Sequence, residues 1–156
     1  MIGTSTAECS VELGQWYLVY AKLHHEEIAQ FHLERKGIPV FFPRLFLPQP
    51  SPKRAQIVPL FPSYLFAQIW NPAEYDAIRW SPGVKWVVNA DGIPAPLDER
   101  IITFLKQCAT PSGVLTTRSI LLVGQQPGNH NDLGRRLAAF DLHDTSERIQ
   151  VLMQLL

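Results

Sequence analysis

The chain offers no field of one charge sign to a partner. Its 14 Lys and Arg are matched by 14 Asp and Glu over 156 residues, so any contact with a polyanion must rest on a local patch. Cysteine is nearly missing too. Cys9 and Cys108 lie far apart and do not make the even, closely spaced set of a secreted disulfide scaffold. No apolar run approaches the ~20 residues needed to span a bilayer. The first fifteen residues carry Glu8 and Glu12 and lack both a basic start and an apolar stretch, so they do not read as a signal peptide. There is also no nucleophile elbow, no phosphate-binding loop and no metal-ligand spacing, which leaves catalysis without a seat and no cofactor to hold. Adjacent His24 and His25 point about 100° apart on a helix, so they make no zinc pair. These exclusions lead to the expectation of a cytoplasmic binding protein that is not an enzyme.

What is present is enough apolar material, 46% of residues, for one compact domain or two small ones. Residues 1–14 read as a flexible start. Gln15 to Ala21 alternates and is rich in aromatic and β-branched residues, which predicts a strand. His24 to Lys36 has neither proline nor glycine and predicts a helix that stops at Gly37. Pro39 to Leu47 and Gln56 to Trp70 are two more extended runs, separated by a loop around Pro48-Gln49-Pro50-Ser51-Pro52. Asn71 caps a short helix with Pro72 at its first position, and Ser81-Pro82-Gly83 ends it. Val84 to Asn89 is a strand, Asp91-Gly92 a turn, and Leu97 to Cys108 an amphipathic helix with Ile101, Ile102, Phe104 and Leu105 on its apolar face. The order predicts an α+β fold with helices packed on a mostly antiparallel sheet.

Two constellations stand out. Pro59-Leu60-Phe61-Pro62-Ser63-Tyr64-Leu65-Phe66 carries more rings than one face of a small sheet needs, and alternation puts Tyr64 and Phe66 on one face and Leu65 on the other. On the first helix, His25, His32 and Lys36 share a narrow stripe with Lys22 at its foot, a pattern suited to a single nucleic-acid strand. Lys53 and Arg54 close the proline-rich loop and, with Arg44, add cations. The solvated-face reading competes, since Glu26, Glu27 and Glu34 dilute the stripe.

Trp16-Tyr17-Leu18-Val19, His32-Leu33-Glu34-Arg35, the proline-flanked aromatic run and Ser81-Pro82-Gly83-Val84 together resemble the amino-terminal (NGN) domain of NusG transcription factors over residues 15–108, most nearly the specialised RfaH type. The resemblance implies a monomeric elongation or antitermination factor that binds the clamp helices of the largest RNA polymerase subunit. The matching positions are Tyr20, Phe61, Pro62, Tyr64 and Phe66. It also implies that Lys22 and His32 lie beside the displaced non-template DNA strand, and the nucleic-acid candidates are then Lys22, His25, His32, Lys36, Lys53 and Arg54. Glu74-Tyr75-Asp76 occupies the place of the RfaH type's His-Thr-Thr triplet, and Pro82 that of its DNA-contacting arginine.

After a linker at 109–113, residues 114–156 correspond in position to the family's KOW module, a small β-barrel that elsewhere contacts a ribosomal protein or a termination factor. Ser119 to Val123, Leu137 to Phe140 and Ile149 to Met153 are strand-like, which favours a divergent barrel. The alternative is an α-helical hairpin from Leu133 to Leu142 and Ser146 to Leu156, which in the RfaH type covers the clamp site. A stand-alone RNA-binding protein with an aromatic sheet face is the second functional reading.

Overall fold

Alternation along strand β1 (Gln15–Ala21) sends Trp16, Leu18 and Tyr20 to one side and Tyr17, Val19 and Ala21 to the other, and each side meets its own core. A computed structural model describes residues 14–48, 51, 53, 55–126, 132–139 and 144–154. β1 pairs antiparallel with β5 (Tyr64–Ile69), placing Leu18 opposite Phe66 and Tyr20 opposite Tyr64. On its other edge it takes β6 (Val84–Val87) and β9 (Pro96–Leu97), while β2 (Val40–Phe41) closes the far side of β5. The face built from Val19, Ala21, Leu65 and Ala67 is covered by helices α1 (Glu26–Arg35) and α2 (Pro72–Arg79), through Ala29, Leu33 and Ile78. The opposite face, with Trp16, Leu18 and Phe66, packs on α3 (Glu99–Cys108) through Ile101, Ile102, Phe104 and Leu105.

The extended run Pro39–Leu47 is interrupted at Phe42-Pro43. It yields β2 in the first sheet and β3 (Arg44–Leu47) in a second sheet, where β3 pairs antiparallel with β4 (Gln56–Pro59). Proline lacks the N–H that a continuous ladder requires, so Pro43 marks the crossing from one sheet to the other. Gln56–Trp70 likewise breaks into β4, a turn and β5. Asp91, at φ 53°, and Gly92, at φ 79°, make the tight turn of a small hairpin between β7 (Asn89–Ala90) and β8 (Ile93–Pro94). Asp98 caps α3 by accepting from Arg100 N–H at 2.9 Å, and the Arg100 side chain holds its carboxyl below the ordinary aspartate value.

Cys108 closes α3 inside the core, and burial pushes its thiol up to about 12. Only the thiolate alkylates. In a Cys9→Ser protein at pH 8, iodoacetamide is therefore expected to modify native Cys108 roughly a thousandfold more slowly than the urea-unfolded chain. Mass spectrometry of timed aliquots measures the ratio.

The tail departs most from expectation. The 109–113 turn is held by Gly113 N–H donating to the Thr110 carbonyl and by Arg44 N–H donating to the Gly113 carbonyl. It leads into β10 (Val114–Thr116), which adds to the second sheet parallel to β3. The described residues then form α4 (Thr117–Gly124), α5 (Asp132–Ala139) and α6 (Thr145–Met153). Ser119–Val123 and Ile149–Met153, expected as barrel strands, are helical, as is the part of Leu137–Phe140 up to Ala139; Phe140 lies outside the described residues. The helical alternative matches in place over the described residues. Local caps explain the ends of α4 and α6. Thr116 and Ser119 bond reciprocally at the start of α4, and Asp144, rather than Thr145 or Ser146, accepts from Ser146 and Glu147 N–H groups at the start of α6. Glycine permits close helix crossing here. A Cβ on Gly134 would lie 2.8 Å from the Phe104 ring and 3.2 Å from Gly124 Cα, so α5 rests directly on α3 and α4.

Among the described residues no helix is long and apolar enough to cross a membrane.

Candidate functional site

Cross-strand register turns three separate rings into one row. Tyr64 on β5, Tyr20 on β1 and Trp86 on β6 stand directly opposite one another. Tyr20 meets Tyr64 edge-on at 5.0 Å and stacks on Trp86 at 4.6 Å. Lys85 Nζ lies 4.9 Å from the Trp86 ring centre and 5.6 Å from that of Tyr20. Trp86 is 46% exposed, and both tyrosines are half-buried. Burial first, then the neighbouring Tyr20, pushes the Tyr64 hydroxyl above its ordinary value, so Tyr64 stays uncharged at neutral pH.

The row continues inward along the same sheet face. Phe66 stacks with Phe41 at 6.2 Å and meets Phe61 edge-on at 6.3 Å. These rings are closed. Phe61 and Phe66 have no exposed surface and share one core with Ile120 of α4, Leu137 of α5 and Val151 and Leu152 of α6. The expected socket is thus divided: Tyr20, Tyr64 and half-buried Pro62 reach solvent, whereas Phe61 and Phe66 lie beneath α3 and the tail. Arg148 fastens the cover. It is 2% exposed, and its Nε–H donates to the Leu60 carbonyl at 2.8 Å while Nη2 donates to Thr145 Oγ1 at 3.2 Å.

The turn that presents Phe61 and Pro62 is positioned from α1. Ser63 sits at φ 68°, and its N–H donates at 2.9 Å to the buried Glu26 carboxylate. Glu26 counted only as a diluting negative charge in the sequence; its burial identifies it as a support of this turn.

The structure gathers only part of the cationic set. Lys22 is exposed, and its N–H donates to the Gly83 carbonyl at 2.8 Å. His25 is exposed, with Nδ1 2.8 Å from the Leu23 carbonyl. His32 is half-buried and packs edge-on against Phe31 at 5.3 Å. Lys36 points elsewhere: its ammonium donates to Ser81 Oγ at 2.7 Å and to the Ala77 carbonyl at 3.0 Å, neutralising the C-terminal end of α2. Lys53 is exposed, and Arg54 lies outside the described residues. Among the described residues no group of three His, Cys, Asp or Glu could hold a metal ion.

Trp86 and Arg148 escaped the sequence reading. A signal for Trp86 existed, a large ring beside Lys85 in a short strand, but only register shows that it extends the Tyr20–Tyr64 row. For Arg148 there was none, because its acceptor lies 88 residues away.

No curated protein matches the chain closely enough to count as a relative. Among solved structures, "Domain interaction in Thermotoga maritima NusG" is similar at 25% identity with a TM-score of 0.39, covering 58% of this chain and 54% of that one. The chain therefore spans about half the length of that solved protein. The family model described as NusG, transcription termination factor nusG, matches residues 14–106, more than half of the sequence, and the chain thus belongs to the NusG family of transcription factors.

Proposed function

We propose that this chain is a specialised, RfaH-like NusG factor that loads on RNA polymerase by docking the clamp helices against the Tyr64–Tyr20–Trp86 row and promotes processive elongation or antitermination. The observation that carries the reading is a continuous aromatic sheet face, open at one end and roofed by helices at the other. An apolar helical hairpin binds by laying its stripe on such a face, with buried aromatic anchors dominating the energy. The inner rings, Phe61 and Phe66, join the contact once α5 and α6 leave. A helical tail in place of a KOW barrel supports the RfaH-like assignment, in which the tail is a removable cover. Lys22, His25 and His32, exposed or half-buried at and before α1 on the other face of the sheet, are the candidates for the non-template strand, while Lys36 is left to its structural bonds.

Tyr64→Ala and Trp86→Ala are each expected to weaken binding of the full chain to core RNA polymerase about tenfold, as hot-spot aromatics do. Both keep their circular dichroism spectra, since both rings are partly exposed. Phe66→Ala is a poorer probe because emptying a core position costs about 3–5 kcal/mol of stability. Unchanged affinity in both exposed-ring variants, or undiminished binding to polymerase lacking its clamp helices, removes the reading.

A further inference from the structure

A second cleft, of about 530 Å3 and separate from the ring row, opens where α1, β2, β3 and the end of α3 meet the turn before β10. We propose that it binds a small oxyanion, a phosphate or carboxylate group, and this rests on none of the polymerase reading. Arg44 is anchored from one side, its Nη2 donating to the Ser112 carbonyl at 3.0 Å. Its Nε is buried and has no acceptor among the described residues. A buried donor on a cation without an acceptor is costly, and no described residue places a carboxylate on it.

The second cation of the lining, Lys106, sets its ammonium over Trp16 at 4.6 Å and Phe41 at 5.7 Å, with no carboxylate partner among the described residues. Glu34 is the only acidic side chain among the described residues of the lining and accepts from Gln30 at 3.0 Å. Among the described lining residues, Arg44 and Lys106 against Glu34 leave one positive charge in excess. The Thr110 and Ser112 hydroxyls, 3.0 Å apart, add neutral donors at its rim. The volume lies within the ~300–1,000 Å3 typical of small-ligand sites. Arg44, Lys106 and the two hydroxyls line one cleft, a set of donors that suits an oxyanion because hydrogen bonds from a cation to an anion are among the strongest.

The test uses the full chain, with sodium pyrophosphate and sodium citrate as separate probes at constant ionic strength. Calorimetry gives affinity, and the Arg44 Nε–H resonance reports the site. A saturable shift of that resonance is expected, with affinity about tenfold weaker in Lys106→Met and in Arg44→Lys, the loss of one charge-assisted bond. Saturation by pyrophosphate alone assigns phosphate, and by citrate alone carboxylate. No saturable response to either probe into the millimolar range overturns the proposal, as does equal affinity in wild type and Lys106→Met. Should Arg44→Lys fail to fold, Lys106→Met decides alone.

Discussion

Arg148→Ala is expected to release α5 and α6 from the sheet while both sheets stay folded. The substitution removes a charge-assisted bond to the Leu60 carbonyl and the packing of a side chain that is 2% exposed. A hydrogen bond to a charged group contributes about 1.5–3 kcal/mol net, so the docked-to-undocked ratio falls roughly tenfold to hundredfold. The Leu60 carbonyl then turns to water, which is possible only if α6 lifts. Hydrogen exchange reads the result directly. Amides of α5 and α6 lose protection by that factor, whereas Leu18, Leu65 and Val87, in strands of the first sheet, do not. Under the proposed function, polymerase affinity rises with the open fraction, since a binding-competent minority lowers apparent affinity in proportion to its scarcity. Unchanged exchange in α6 contradicts the latch, and faster exchange without tighter polymerase binding contradicts the cover.

Gly83→Ala is expected to cost about 3 kcal/mol or more and to lower the melting midpoint by roughly 10 °C. Two penalties combine at this residue. Its φ of +84° is strained for any side chain, and a Cβ there would lie 2.8 Å from Ala29 N and 2.9 Å from the His25 carbonyl. Those are backbone atoms of α1 and of the residue that caps it, so no rotamer change relieves the clash. Gly37→Ala is the control: φ is +78°, yet nothing lies within 4 Å, so only the conformational cost of about 1–2 kcal/mol applies. Because α1 also carries Glu26, displacing it in Gly83→Ala loosens the Ser63 turn, and Tyr64 ring resonances shift. Thermal denaturation of the two variants separates contact from strain; equal losses refute the close-approach argument.

Much of the fold up to residue 108 was legible because its signals are local. Alternation in Gln15–Ala21 and Tyr64–Phe66 sorted residues between the two cores as observed, and Asn71-Pro72 placed the start of α2. The site was legible only in part. Tyr20 and Tyr64 emerged with exposed edges, but Phe61 and Phe66 are roofed, and Lys36 is tied to α2. None of those outcomes leaves a mark on the neighbouring residues.

The tail shows where local pattern stops deciding. Isoleucine, valine and leucine at 149, 151 and 152 satisfy a short strand or a helix about equally well, and caps at Thr116 and Asp144 tip the balance only slightly. Burial against distant surfaces settles it: Leu137, Val151 and Leu152 reach full burial in the core of Phe61, Phe66 and Phe104. Residue order alone therefore specified β1, β6, the breaks around them and the two-faced sheet, whose determinants span a few neighbours. Which face is covered, by what, and in which backbone form was decided by contacts across 88 residues, whose energy exists only once the chain has folded back on itself.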